Sequence, residues 1–224
     1  MTKDKHAPAF FLPFPGGGLT ARPEFDDVLL ARAWQAINRP ENRMYLSTVY
    51  PTSWRQQKEW AEKPNTDTNI LFMIWYDNQY IGGMGVHHID YIHGTAETGT
   101  LIWEAEYRNR GIAKLAKLVL LDYIFDTLNL RQVYSRVIGY NTRSAKYSDK
   151  CGYVEVARIP RRLRFGEDLV DEVILLAERE TWLPCFMSFL EEYQDREDAY
   201  RTRIQLLKDE ADRYALRKSG SKSE

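Results

Sequence analysis

Two groups of residues in this chain are spaced for chemistry on a charged substrate. The run Arg108-Asn109-Arg110-Gly111-Ile112-Ala113 sets two guanidinium groups around a glycine, just before a segment in which Ile112, Leu115, Ala116, Val119 and Tyr123 recur at helical spacing. A turn there leaves the first amides of the helix unpaired and facing forward, where the helix dipole adds positive charge. Gly111 lets a bulky anion reach the backbone, and the arginines add full charges, so the segment suits a pyrophosphate; a solvated strand-to-helix turn shares the same local pattern. Upstream, Glu97 and Glu104 flank the β-prone run Thr98 to Trp103 and offer carboxylates that could take a proton.

The landmarks around this turn resemble the GCN5-related N-acetyltransferase (GNAT) superfamily. Arg108 to Ala113 fits the Gln/Arg-x-x-Gly-x-Gly/Ala loop that holds the acetyl-coenzyme A pyrophosphate in that family. Ala96-Glu97-Thr98-Gly99 is similar to the Ala-Glu-Ile-Gly of its fourth strand, Asn141-Thr142-Arg143-Ser144 to its Asn-x-x-Ser, and Cys151-Gly152-Tyr153 to its Leu-Gly-Phe. Leu19-Thr20-Ala21-Arg22-Pro23 resembles the first strand of the branch with the ribosomal-protein alanine and spermidine acetyltransferases. The resemblance covers about Leu19 to Ala177. It implies an α+β GNAT fold: a central mixed, splayed β-sheet of about seven strands flanked by helices, to which this chain adds a long C-terminal helix.

The resemblance also implies roles. Acetyl-coenzyme A is the expected co-substrate, its pyrophosphate on the amides of Asn109 to Ala113 with Arg108 and Arg110, its pantetheine amide on Asn141, and Trp103 and Ser144 close by. Glu97 lies eleven residues before Arg108, where histone-acetylating relatives place a strand glutamate base. A glutamate that only orders its strand stays open as the other reading, and Glu104 is the alternative base. The position at which many relatives keep a tyrosine acid is Ser148 here. Tyr147 is adjacent, but one residue along a helix rotates a side chain by about 100°. Ser144 is another candidate donor. Tyr45 and Trp54 are expected on the acceptor wall and His87 near the acceptor cleft.

These residues need elements to hold them. Ala7 to Gly18, broken by three prolines and three glycines, reads as an arm whose phenylalanines need cover. Pro23 to Asn38 reads as a helix with Val28, Leu29, Ala31, Ala33 and Ile37 as apolar positions, and Ser53 as the cap of a short second one. Ile70 to Trp75 and Tyr80 to Val86 read as a hairpin, Leu130 to Gly139 as a strand, Asn141 to Lys150 as a helix, and Tyr153 to Ala177 as a final hairpin around Gly166-Glu167-Asp168. From Pro184 to Arg217 a heptad-like seam, Phe186, Leu190, Tyr193, Glu197, Tyr200, Ile204, Leu207, Ala211 and Tyr214, predicts one long helix, packed along its own domain or paired between subunits. The division is therefore an arm (1–18), an acetyltransferase domain (19–180), a long helix (184–217) and a polar tail (218–224).

Composition limits the function classes. With 224 residues, 44% of them hydrophobic, the chain fits one buried domain and an appendage, and a formal net charge of −1 argues against a general nucleic-acid binder. Two cysteines in unlike contexts suggest no disulfide framework, and no run is long and apolar enough for a membrane span, so a soluble, cytoplasmic protein is expected. His87, His88, Asp90 and His93 do not form an expected metal site, because neighbouring strand residues face opposite ways unless a bulge intervenes. The leading reading is acetyl-coenzyme A-dependent acetylation of a primary amine (a protein N-terminus or lysine, a polyamine, or a small-molecule amine) by direct attack on the thioester. The alternatives are a non-catalytic acyl-coenzyme A-binding module assembled through the long helix, and acetylation of an amine linked to nucleic acid, which Arg158, Arg161, Arg162 and Arg164 would suit.

Overall fold

The apolar run Ile70–Tyr76 forms β3, which sits inside an eight-stranded sheet of order β1-β2-β3-β4-β5-β6-β8-β7. The computed structural model describes residues 10–21, 25–46, 50–63, 65–195 and 198–220, with side chains to Asp209. The other strands are β1 (Phe11–Phe14), β2 (Gly17–Ala21), β4 (Gln79–Asp90), β5 (Thr95–Ile102), β6 (Gln132–Ile138), β7 (Val154–Phe165) and β8 (Asp168–Glu178). All neighbouring strands run antiparallel except β5 and β6.

Alternate residues of β3 feed two cores, as strand geometry requires. Phe72 and Ile74 face the larger cluster, with α4 (Ile112–Asp122), α6 (Arg179–Tyr193) and α7 (Asp198–Gly220). Met73 faces a smaller one with Ala33 and Ala36 of α1 (Asp27–Asn38) and Trp103. In α1, Asp26 accepts from the Leu29 N–H at 2.7 Å, and the helix stops at Arg39, which proline 40 forces into extended backbone. Its buried stripe is Leu30, Ala33 and Ala36, and Val28, expected on the apolar face, is 72% exposed. Pro40–Arg43 forms a single turn, α2, and Ser53 with Gln56 makes a capping box for α3 (Trp54–Glu62). The helix after β6 is α5, Thr142–Asp149, capped by Asn141.

Two expectations are corrected here. The arm does not end where the domain begins: Phe11–Phe14 is an edge strand paired with Gly17–Ala21, and this raises the strand count from about seven to eight. Pro13 is tolerated because an edge strand leaves half its amides outside the ladder. Phe14 is buried, Phe10 packs on Phe72 and Tyr123, and Tyr200 from α7 donates to the Pro13 carbonyl at 3.5 Å, so the cover comes from the same chain.

The second correction is the C-terminal helix, which is two helices, α6 and α7, separated by a turn at Gln194 and Asp195. A continuous helix would carry Tyr200, Ile204 and Leu207 past the end of the core; after the turn they are 5%, 7% and 4% exposed, inside the main cluster with Phe186, Phe189 and Leu190. Glu197, expected to interrupt the seam, lies outside the described residues, as do the Ala211 and Tyr214 side chains and the positions of Arg22 and Pro23. No helix among the described residues is long and apolar enough to cross a membrane.

Phe189 is the pivot of this arrangement, with ring centroids 5.7 Å from Phe186, 5.5 Å from Tyr193 and 5.4 Å from Tyr200. Phe189→Ala should lower the unfolding free energy by about 3–5 kcal/mol, while Val28→Ala should change it by less than about 0.5 kcal/mol. Urea denaturation of the two variants checks this, and equal small effects would mean that α7 is not docked on α6.

Candidate active site

The site begins where two strands part. β5 and β6 pair in parallel only at Thr95↔Gln132, Ala96↔Val133 and Glu97↔Tyr134, although β5 continues to Ile102 and β6 to Ile138. At the fork, Thr98 Oγ1 donates to the Tyr134 carbonyl at 3.4 Å and shares a hydrogen bond of 2.8 Å with the buried Tyr153 hydroxyl. Beyond it opens a cavity of about 410 Å³, walled by Thr100, Leu101 and Ile102 of β5, the loop from Tyr107 to Gly111, the first turn of α4, and Asn141 and α5.

Local conformation explains the loop. Asn109 and Gly111 adopt left-handed φ values of 59° and 81°, so the chain enters α4 with Gly111 as its cap and the Gly111 carbonyl accepting from Leu115 at 3.1 Å. A Cβ at Gly111 would meet nothing within 4 Å, so glycine serves the backbone conformation and keeps the space above the helix end open. Among the described residues five cations, Arg108, Lys114, Arg143, Lys146 and Lys150, line the cavity, and no carboxylate does.

The arginines differ from their expected parts. Arg108 clamps the end of β5 to α2, with Nε donating to Ile102 O and Nη2 to Trp103 O, both at 3.0 Å, and to Asn42 Oδ1. Arg110 lies over the Tyr107 ring at 5.5 Å, outside the cavity lining. Trp103, expected beside the cofactor, turns the other way: it is 3% exposed in the smaller core with Ala33, Ala36 and Met73, and only its carbonyl serves the loop. β5 ends at Ile102, and just beyond it the Trp103 ring packs into the smaller core.

On α5 the stripe facing the cavity is Arg143, Ser144, Lys146, Tyr147 and Lys150. Ser148, the expected donor, is 1% exposed, and its hydroxyl is buried without a partner among the described residues. Tyr147 takes the place instead, three residues and thus nearly one turn on from Ser144. Burial pushes its hydroxyl up to about 12, so it is protonated at neutral pH. Asn141 lines the cavity while its Oδ1 caps α5 by accepting from the Ser144 N–H at 3.2 Å.

Glu97 does not line the cavity. It sits at the fork opposite His87, accepts from Arg136 Nε at 3.1 Å, and has His88 Nδ1 at 3.7 Å. A bulge does interrupt β4 between His87 and Asp90, and His88 takes a φ of 50° there. It brings His88 to Glu97, while the His87 ring lies over Gly85, where an added Cβ would meet Nε2 at 2.1 Å. Burial, then the charge of His88, lowers the His87 pKa; Glu97 opposes this and Lys117 adds to it. His87 is therefore a neutral imidazole at neutral pH.

Glu104 is not suited to be a base. Its oxygens are taken by Arg32 at 3.2 Å and Arg39 at 3.1 Å, and although burial works to raise its pKa, hydrogen bonds and charge from Arg39 and Arg32 hold it below the ordinary value. Tyr45 does line the cavity, under the Arg143 guanidinium at 5.1 Å. Trp54 does not: it packs edge-on against Trp34 at 5.5 Å between α1 and α3. Sequence reasoning set Tyr147 aside for its rotation from Ser148, and missed Thr100 and the cations Lys114, Arg143, Lys146 and Lys150; the helical spacing of the last three along α5 and its cap was the available signal.

A family model described as the acetyltransferase (GNAT) domain matches residues 21–154. Among curated proteins, the spermidine N(1)-acetyltransferase of Vibrio cholerae is 35% identical over 75 residues, 34% of this chain and 43% of that protein. The chain spans about half the length of the curated relatives it matches. Among solved structures, the Vibrio cholerae spermidine N-acetyltransferase in complex with CoA and spermine superposes with a TM-score of 0.65 at 22% identity, covering 74% of this chain and 98% of that one. RimL, a ribosomal L7/L12 alpha-N-protein acetyltransferase, superposes with a TM-score of 0.67 at 15% identity, covering 80% and 98%.

The Glu104 triad makes a pH prediction. A carboxyl held below its ordinary value near 4.5 contributes stability that is present above that value and lost as the pH falls through the folded value. The stability difference between wild type and Glu104→Gln should therefore be full at about pH 6 and shrink toward about pH 3. Urea unfolding across that range checks it; a difference that does not change with pH would contradict the pairing.

Proposed function

The chain belongs to the acetyltransferase (GNAT) domain family, and from that premise we propose that it transfers an acetyl group from acetyl-coenzyme A to a primary amine. The observation that carries the reading is the cavity at the fork of β5 and β6, with five cations and a helix N-terminus in its wall and no carboxylate among the described residues. Acetyl-coenzyme A fits that wall: it is a polyanion with a narrow amide-bearing arm. The amides of Asn109 to Ala113 would hold its pyrophosphate, Lys114, Arg143, Lys146 and Lys150 would balance its charge, and Asn141 with the unpaired edge of β5 would hold the pantetheine amides. When bound, it supplies the thioester that an amine attacks.

The residues of the chain then have to manage protons. An alkyl amine with a pKa near 10.4 is almost wholly charged at neutral pH and cannot attack until it loses a proton. Glu97, directly or through a water, takes that proton, and the neutral His87 across the strand pair is its neighbour in the same task. Tyr147 holds a proton at the cavity wall for the departing sulfur, with Ser144 beside it. Glu104 has no proton role and positions the wall by holding Arg32 and Arg39.

Tyr147 also bears on the non-catalytic alternative, whose support was the missing tyrosine and the long helix. A tyrosine lines the cavity one residue earlier, and α6 and α7 pack within their own chain. The unit that carries the activity extends beyond residues 19–180, since Phe14, Trp182 and Tyr200 share its main core.

Titration calorimetry with acetyl-coenzyme A, followed by thiol release against an amine panel, tests the reading. Gly111→Glu should abolish binding. Tyr147→Phe and Glu97→Gln should each lower kcat by about 10²-fold or more while leaving acetyl-coenzyme A binding near wild type, and Ser148→Ala should leave kcat nearly unchanged. Equal losses in Ser148→Ala and Tyr147→Phe would overturn the assignment of the donor.

A further inference from the structure

On the Glu97 side of the fork, charges alternate along a connected chain. Arg136 Nε binds Glu97 Oε2 at 3.1 Å, Arg136 Nη1 lies 3.9 Å from Glu172 Oε2, and Arg162 Nε lies 4.0 Å from that same oxygen. Glu172 is nearly buried, whereas the Arg136 and Arg162 side chains are 54% and 61% exposed. The chain therefore leads outward from the proposed base to a guanidinium that, among the described residues, makes one long contact and is largely exposed.

The backbone is distorted to achieve this. In β7 the register shifts between Ile159, opposite Glu172, and Leu163, opposite Val170, so Pro160, Arg161 and Arg162 share the single partner Asp171. Arg161 takes a φ of 54°, a left-handed conformation unfavourable for a side chain of its size, and Asp171 Oδ1 fixes it by accepting from the Arg161 N–H at 3.0 Å. In a regular strand Arg162 would face away from Glu172; the bulge turns it onto the Glu172 side. Strain held in place by a neighbouring carboxylate, and used to aim one side chain, is typical of recognition sites.

We propose that the acceptor is an amine whose molecule also carries an anionic group, phosphate or carboxylate, and that Arg162 on the β7 bulge binds that group while the amine lies at Glu97. The inference rests on the reading that the acceptor reaches the thioester from the Glu97 side of the fork. A polyamine would need free carboxylates along this wall, and Glu97, Glu172 and Asp171 are each already paired with arginine.

The test measures binding of ethanolamine, phosphoethanolamine, β-alanine and spermidine to the full chain, with and without saturating coenzyme A. Phosphoethanolamine or β-alanine should bind at least about tenfold tighter than ethanolamine, the stronger of the two naming phosphate or carboxylate, and Arg162→Gln should bring that ratio close to one. Arg162→Lys, which keeps a point charge, should retain part of it. Spermidine as the tightest ligand, a wild-type ratio near one, or a ratio that survives Arg162→Gln would each overturn the proposal. Thiol release from acetyl-coenzyme A is read in the same samples, so absence of release with the ratio intact would count against acetyl transfer alone.

Discussion

The structure depends on the loss of pairing between β5 and β6 after Glu97 and Tyr134. Parallel strands that share three register pairs and then diverge leave backbone donors and acceptors facing a gap, and such groups need partners. The fork is fixed by its surroundings: β5 remains paired with β4, β6 with β8, and Thr98 with Tyr153 pins the branch point. Arg108 holds the far end of β5 against Asn42 of α2, so the open edge cannot swing back. A ligand with its own amides is what such an edge accommodates.

The two sides of the fork carry different charge patterns. On the α4 and α5 side every charged residue described in the wall is a cation, which favours a phosphate-rich ligand regardless of its detailed pose. On the other side carboxylates and arginines alternate, and the β7 bulge adjusts that order. Tyr147 lines the cavity, and Glu97 sits at the fork outside that lining.

Much of this was legible in the sequence where local physics decides it. The Gly111 turn, the continuous β3 run, the Ser53 cap and the final hairpin follow from residue types and spacing, and the motif set around Arg108 identified the splayed fold. What was hidden depends on long-range packing. Tyr147 and Ser148 are neighbours about 100° apart on α5, and which of them meets the cavity is decided by how α5 packs on the rest of the domain: Ser148 is buried and Tyr147 lines the cavity. The break between α6 and α7 has no proline or glycine to announce it, and it accompanies a long-range contact, Tyr200 on Phe189, that the sequence does not display. Arg108 was read as a phosphate ligand because its charge was visible, whereas the carbonyls of Ile102 and Trp103 that claim it are not.

The central claim is that the fork and the α4 terminus together form one binding site for acetyl-coenzyme A. Amide hydrogen exchange with and without acetyl-coenzyme A tests it directly, because it reads the backbone groups that the account assigns to the ligand. The amides from Asn109 to Lys114 and along the unpaired part of β5 should slow together on addition, while those of β1 and β7 stay unchanged. Unchanged exchange at Asn109 to Lys114 under saturating acetyl-coenzyme A would contradict the account.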